Sequence, residues 1–145
     1  MPLRRRALAA AVFALGACTP PASTPAPAPG GDGGIVSSLS VSPAGDTVHL
    51  ALQLTNAGDA PVVMSFANGQ TYDFAVLQGG ETLWQWSRDM RFVQMLRDET
   101  LAPGETRTIT EHWVPGRRMA GELTARAWLT STSHALERTA TFRMP

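Results

Sequence analysis

The chain has 145 residues and a formal net charge of zero, with twelve basic residues, twelve acidic residues and one cysteine. Every basic residue is an arginine, and no stretch combines clustered arginines with interleaved aromatics, so the composition argues against a nucleic-acid partner. A single cysteine also excludes an intramolecular disulfide.

Residues 1–17 have the pattern of an export signal. A basic head at positions 4–6 precedes the uncharged stretch 7–17, which is shorter than the ~20 apolar residues that span a bilayer as a helix. The stretch ends in Leu-Gly-Ala followed by Cys18, which resembles a bacterial lipobox. We therefore predict that Cys18 is the first mature residue and the site of lipid attachment. The alternative is an ordinary secretory signal with an incidental cysteine.

Residues 18–34 are predicted to form a tether, because Pro, Ala, Ser, Thr and Gly offer too little apolar surface to order the backbone. The Pro-Ala part is expected to be extended and the Gly-rich end flexible. Thr19 stands where an aspartate would indicate inner-membrane retention, so the resemblance implies a lipid anchor in the outer membrane of the cell envelope, with the protein facing the periplasm.

Residues 35–145 are predicted to form one domain with a single core. The predicted mature chain, residues 18–145, lacks the three arginines of the signal and carries nine arginines against twelve acidic residues, a net charge of about −3. Apolar residues alternate with polar ones in several short runs, such as 48–55 and 123–129, and turn residues separate the runs. This pattern predicts an all-β fold, a single antiparallel β-sandwich of immunoglobulin-like architecture. The run 87–99 is assigned to a loop with room for a short helical turn.

Two glycine turns are predicted from the positions of the aromatic residues on either side, because alternate residues of a strand face the same side of the sheet. A three-residue loop Ala67–Gly69 would place Phe66 on the same face as Tyr72 and Phe74, with Gly69 in the left-handed region of a bulged hairpin turn. An odd loop length at Gly79-Gly80 would likewise bring Trp84 and Trp86 to the face of Phe74. Most aromatics are then core residues.

The opposite face of these strands carries a polar row, Asp73, Gln85 and Ser87. Solvated outer positions are the usual explanation of such a row, and a ligand-contacting strip is the alternative. Asp73 is also a candidate to cap the bulged turn through backbone N–H groups. Trp128 lies on an outward face by the same parity and suits a partner surface, or a site covered by the tether or a neighbouring loop.

Catalytic and metal-binding patterns are missing from the sequence. His49, His112 and His134 are far apart and fall in no HExxH pattern, and no second cysteine supports a thiolate site. No GxSxG turn occurs. We therefore expect a non-enzymatic protein without a metal or other cofactor.

Several motifs follow one another in the middle of the domain. Phe-x-x-Gly-Gln-x-Tyr-Asp-Phe precedes Gly-x-x-x-Trp-x-Trp-Ser, with Leu-x-x-x-Asn before them and Leu-x-Pro-Gly-Glu and a tryptophan after them. This succession, over Leu50 to Trp113, resembles the BsuPI-type intracellular proteinase inhibitor domain. The resemblance implies a β-sandwich and inhibition of subtilisin-like serine proteases. The matching residues are Asn56, Phe66, Gly69, Gln70, Tyr72, Asp73, Phe74, Trp84, Trp86, Ser87, Pro103, Gly104, Glu105 and Trp113.

An inhibitor needs a convex loop that enters a protease cleft. The loop Val114–Glu122 is the candidate protease contact, because it offers Arg117, Arg118 and Met119 between glycines. The alternative is a mobile loop without a binding role. The competing function is a non-inhibitory immunoglobulin-like binding module of the cell envelope. Its binding face would comprise Asp73, Gln85, Ser87 and Trp128. The expected partner is thus a serine protease or another envelope protein.

Overall fold

The computed structural model describes residues 30–145, which form ten β-strands and one short 3-10 helix. The predicted signal, Cys18 and most of the predicted tether lie outside the described residues. The elements are β1 (Gly30–Asp32), β2 (Ile35–Ala44), β3 (Thr47–Asn56), β4 (Val62–Phe66), β5 (Tyr72–Gln78), β6 (Glu81–Gln85), the 3-10 helix (Trp86–Asp89), β7 (Arg97–Leu101), β8 (Thr106–Trp113), β9 (Leu123–Leu129) and β10 (Glu137–Phe142).

The strands form two four-stranded sheets and one two-stranded sheet. The first sheet has the order β1-β2-β3-β8, the second has the order β10-β9-β5-β6, and β4 pairs with β7. Every pairing is antiparallel. The predicted all-β antiparallel fold is therefore confirmed, and the immunoglobulin-like topology stays a prediction. Within residues 30–145 no helix has the length and apolar character that crossing a membrane requires.

One hydrophobic core is shared by all three sheets. Alternate residues of β3 and β9 are buried, as period-two patterning predicts. The buried set also draws on β4, β5 and β7, and all its members lie between Ile35 and Phe142. Residues 30–145 thus contain their own core, which is the condition for folding as an independent unit. We call residues 30–145 the head.

The predicted hairpin around Gly69 is wrong. β4 pairs with β7, with Phe66 opposite Arg97, and does not pair with β5. Gly69 does not have a positive φ. Instead, the chain passes from one sheet to another here, and Asn68 holds it by accepting a hydrogen bond from the Gln70 N–H at 2.8 Å. Phe66 and Phe74 nevertheless share the core, because β4 and β5 both face it from different sheets.

The β5–β6 turn does not have the predicted odd loop length, but Trp84 still lies on the predicted face, opposite Val76. Gly79 and Gly80 form a two-residue loop with φ of 58° and 87°, and Gln78 pairs with Glu81. An irregularity in β6 then shifts the register by one residue, so Trp84 lies opposite Val76. The extra residue of this bulge restores the parity that an odd loop was expected to supply.

The Gly-rich end of the predicted tether takes part in the first sheet. β1 pairs with β2, with Asp32 opposite Ile35. Gly33 and Gly34 make the tight turn between them, with φ of 55° and 91°. Both values lie in the left-handed region, where only glycine is free of steric strain.

Candidate functional site

Asp73 is the centre of a buried polar network on the outward side of β5. Its side chain is 1% exposed although it projects away from the core. Asp73 Oδ2 accepts hydrogen bonds from Gln85 Nε2 at 2.6 Å and from the Ser87 hydroxyl at 2.5 Å. Asp73 Oδ1 accepts from the backbone N–H groups of Phe74 at 2.9 Å and Ser87 at 3.1 Å. The carboxylate is thus occupied by groups of its own chain.

This network corrects two interpretations of the polar row. Asp73 is not a solvated outer residue, because the chain after β6 turns into the 3-10 helix and covers it. Asp73 also does not cap the loop at Gly69, since its backbone partners are Phe74 and Ser87. A buried carboxylate with several donors fixes where the covering segment lies. The row is therefore an internal clamp between β5 and the 3-10 helix.

Trp128 lies beside this clamp on the same sheet face. Its register partner in β5 is Asp73, and its partner in β10 is Glu137. The alternation of buried residues along β9 confirms that Trp128 faces outward. The guanidinium of Arg126 lies 4.8 Å from the centre of its ring, and Arg126 also pairs with Glu137 at 2.6 Å. The four predicted face residues are thus brought together, with Trp128 half-buried under Arg126.

An aromatic row connects the core to the surface next to the clamp. Phe74 contacts Tyr72 edge to face at 5.8 Å, Tyr72 stacks on Trp86 at 4.5 Å, and Trp86 lies 5.8 Å from Phe92. Burial raises the pKa of Tyr72 to about 12, with further contributions from the hydrogen bond that its hydroxyl donates to Glu111 and from the Glu111 charge. The motif aromatics therefore pack as structural residues.

A second buried network surrounds Asn56, which is fully buried at the end of β3. Its Nδ2 donates to the carbonyl oxygens of Ala60 and Leu101, and its Oδ1 accepts from the Gly58 N–H. Its backbone exchanges hydrogen bonds with the turn between β7 and β8, donating to Glu105 and accepting from Gly104. All polar groups of this side chain are satisfied inside the protein.

The turn that Asn56 contacts has the geometry of a type II turn. The Glu105 N–H donates to the Ala102 carbonyl at 2.9 Å, Pro103 occupies the second position, and Gly104 has a φ of 73°. Glu105 Oε2 accepts from the Ala102 N–H, and this bond together with Arg107 lowers the pKa of Glu105. The Leu-x-Pro-Gly-Glu motif is thus a turn signal.

The loop Val114–Glu122, predicted as the protease contact, is only partly exposed. Arg117 and Arg118 are exposed, whereas Met119 is half-buried and packs against the core. The three residues line a groove of about 560 Å³ together with Met144. Gln78 Nε2 donates to the Ala120 carbonyl at 2.6 Å, which holds the end of the loop against the β5–β6 turn. The two arginines are available to a partner, and Met119 is held by the fold.

The segment Met90–Leu96, between the 3-10 helix and β7, is the most exposed apolar stretch of the head. Exposed fractions are 44% for Met90, 72% for Val93, 54% for Met95 and 84% for Leu96. The sequence predicts a loop here, in agreement with the structure, but no motif marks the loop as a candidate surface. The available signal was its composition, because a loop without period-two alternation has no core face to account for four large apolar residues.

The histidines do not form a metal centre with other ligands in the described part of the chain. His49 and His112 lie opposite each other on β3 and β8, and both are exposed. His134 is elsewhere and contacts Ser133. No group of three or more His, Cys, Asp or Glu side chains suited to a metal ion occurs among residues 30–145.

The head is thus an antiparallel β domain in which the motif residues build the scaffold. The family model for the BsuPI intracellular proteinase inhibitor matches residues 35–134. The chain therefore belongs to the BsuPI proteinase inhibitor family. A search of curated protein sequences finds no significant match.

Structural comparison matches this chain to parts of larger solved structures. The sporulation control protein Spo0M from Bacillus subtilis shares 11% identity, with a TM-score of 0.47 over 77% of this chain and 49% of that one. A β-glucosidase from Kluyveromyces marxianus shares 14% identity, with a TM-score of 0.38 over 75% of this chain and 14% of that one. β-Glucosidase 3B from Thermotoga neapolitana shares 20% identity, with a TM-score of 0.37 over 72% and 15%. This chain spans about half of the first protein and about a seventh of the other two.

Proposed function

We propose that this protein is a lipid-anchored inhibitor that binds a subtilisin-like serine protease in the cell envelope. The observation that supports it is the match of the inhibitor family to residues 35–134, nearly the whole folded head. The predicted export signal and the lipobox-like sequence before Cys18 support a location in the cell envelope. An anchored head reaches proteases on the same membrane face and does not diffuse away from them.

Physical features of the head agree with this role. An inhibitor binds tightly when its contact loop is already ordered, since little conformational entropy is then lost on association. The clamp at Asp73 and the network at Asn56 tie the scaffold together with buried hydrogen bonds, which supports an ordered attachment for the loops. The surface segments that extend from that scaffold include residues 90–96 and 114–122.

The experiment is an inhibition titration with the head and subtilisin whose active-site concentration is known. We expect residual activity to fall linearly and to reach its minimum at one head per enzyme. The head should remain intact when the mixture is analysed by mass spectrometry. Progressive digestion of the head without loss of enzyme activity would contradict the proposal, and a head unfolded beforehand is the matched control for ordinary substrate behaviour.

The second candidate function is a non-inhibitory binding module of the envelope. The position of Trp128 favours it, because this half-buried aromatic lies on an outward sheet face next to Arg126. Aromatic and arginine side chains dominate the energetics of protein interfaces. In this case Trp128→Ala would weaken capture of a partner from solubilised envelope by ~1–3 kcal/mol. Thr141→Ala, on the same face of β10, is the control.

A further inference from the structure

Exposed large apolar residues are concentrated in one place in the head. Among the described residues, six large hydrophobic side chains are exposed, and four of them lie in the segment Met90–Leu96. Single exposed apolar residues are ordinary on protein surfaces, whereas a contiguous group marks a surface for binding. The other two, Val63 and Val114, lie on other segments.

The segment is attached to the scaffold at several points. Phe92 packs against Trp86, and the Met90 N–H donates to the Ser87 carbonyl at 3.0 Å. The Gly69 N–H donates to the Val93 carbonyl at 2.8 Å. Beyond the segment, Arg97 begins β7 and donates from Nη2 to the Gly69 carbonyl. The loop is thus tied to the aromatic row, to the β4–β5 connection and to β7.

Its exposed part has backbone groups free for a partner. Gln94, Met95 and Leu96 lie outside the strands. Their backbone groups make no hydrogen bond to another backbone group within residues 30–145. No residue of the segment has a positive φ. A non-helical segment with free N–H and C=O groups can add to the edge of a partner as a strand, while its side chains fill pockets.

We propose that Met90–Leu96 enters the substrate-binding cleft of the protease, with Met95 and Leu96 in apolar subsites. This inference rests on the proposed inhibitory function and assigns it to a different loop from Val114–Glu122. The choice follows from exposure, since Leu96 is 84% exposed while Met119 packs against the core. A cleft that binds peptides offers both apolar pockets and hydrogen-bonding partners for the backbone.

A membrane surface suits the segment less well. Free backbone N–H and C=O groups in the hydrocarbon region cost several kcal/mol each, since lipid tails offer no partner. The charges in and around the segment are also of both signs, since Arg88, Arg91 and Arg97 lie near Asp89, Asp98 and Glu99 in the sequence, and Arg97 pairs with Glu99 at 3.2 Å. An anionic lipid surface attracts clusters of basic residues, and these neighbours do not form one.

The test uses one charge variant and one reporter, each with a control in the rival loop. Leu96→Asp should weaken inhibition of subtilisin at least about tenfold, the effect of losing an apolar anchor. Arg118→Asp should change it less than about twofold, as exposed positions outside a contact usually do. Leu96 is exposed, so Leu96→Asp should leave the thermal unfolding midpoint of the head unchanged.

The reporter exploits the absence of cysteine from the head, because Cys18 is the only cysteine of the chain. Met95→Cys and Arg118→Cys variants of the head are each labelled with a polarity-sensitive dye and mixed with subtilisin whose catalytic serine is blocked. We expect a blue shift at position 95 and none at position 118. Vesicles of phosphatidylglycerol and phosphatidylethanolamine serve as the second probe.

The outcomes separate the segment from the function. If the wild-type head inhibits subtilisin, Leu96→Asp inhibits equally well and the dye at position 95 does not shift, then Met90–Leu96 is not the contact segment. The inhibitory function would still hold in that case. A shift at position 95 on blocked subtilisin without inhibition of the active enzyme would support the segment and overturn inhibition. If the head neither inhibits subtilisin nor shows a dye shift at position 95, both the segment and the inhibitory function are overturned. A shift on vesicles alone would overturn the proposal in favour of a membrane-facing surface.

Discussion

The backbone N–H of Gly69 donates to the carbonyl oxygen of Val93 at 2.8 Å, and this bond joins the β4–β5 connection to the exposed segment Met90–Leu96. A β-carbon at Gly69 would lie 3.5 Å from the Val93 nitrogen and 3.6 Å from its oxygen, which is ordinary contact. A methyl group would therefore fit at Gly69, whose φ also lies outside the left-handed region, so neither the space nor the backbone requires a glycine there.

Gly69 and Gly104 form a matched pair for the first prediction. Gly104→Ala should lower the free energy of unfolding by about 1–2 kcal/mol, because a φ of 73° strains any residue with a β-carbon. Gly69→Ala should change it by less than about 0.5 kcal/mol, since neither φ nor the surrounding space forbids a methyl group. Urea denaturation of the head measures both. Equal losses at the two positions would contradict the assigned backbone geometry.

The second prediction concerns the clamp. Asp73→Ala should destabilise the head by about 3 kcal/mol, because it leaves several buried donors without an acceptor. Asp98→Ala is the control, since Asp98 is exposed and its carboxylate accepts no hydrogen bond within the described residues; it should cost less than about 0.5 kcal/mol. If Asp73→Ala were as mild as Asp98→Ala, the polar row would be a surface strip after all.

The third prediction uses the single tyrosine of the chain. Absorbance of the phenolate reports Tyr72 alone, and its titration should have a midpoint at about 12 in the folded head. Glu111→Gln should move the midpoint down, since it removes a neighbouring negative charge that opposes ionisation. A midpoint at the ordinary tyrosine value in the folded wild type would contradict the burial of Tyr72 and its contact with Glu111.

The sign of the linked stability change follows from the raised pKa. The folded protein holds the Tyr72 proton more tightly than the unfolded chain does, so this contribution is fully present below the ordinary value of 10.0. It is lost as the pH rises from there through about 12. Tyr72→Phe should therefore reduce the alkaline loss of stability, measured by denaturation at several pH values.

The fourth prediction concerns the anchor. Cys18→Ser should move the protein from the membrane fraction to the soluble fraction and abolish incorporation of labelled fatty acid, because Cys18 is the only thiol of the chain. Ser131→Ala, within the folded head, should leave both unchanged. Membrane partition that persists in Cys18→Ser, with no fatty acid on the wild type, would contradict lipid attachment.

Period-two patterning predicts the core and most of the strands, but the loop predicted over 87–99 is wrong at its end, because β7 begins at Arg97 and pairs with the distant β4. The alternation at Leu50, Leu52 and Leu54 on β3 and at Ala125 and Ala127 on β9 identified the buried faces, since side-chain direction in a strand follows directly from residue parity. The prediction that Trp84 shares a face with Val76 was also correct. Parity alone does not distinguish an odd loop from an even loop with a bulge, and for this reason the turn at Gly79-Gly80 was mispredicted.

The remaining differences come from contacts between residues distant in sequence. The pairing of β4 with β7 depends on where the three sheets meet, and the Asn68-Gly69 pair alone resembles a hairpin turn. Parity places Asp73 on an outward face, but parity does not show which segment covers a residue. The sequence does not reveal the exposed segment Met90–Leu96 for a related reason, since exposure in a loop follows from tertiary structure.

The central claim, that this head binds a serine protease, is tested most directly by calorimetric titration of the head into subtilisin with a blocked catalytic serine, at two temperatures. We predict saturable binding with one head per enzyme and a negative heat-capacity change, since apolar side chains leave water in the complex. A folded head that gives no saturable heat at either temperature would contradict the claim.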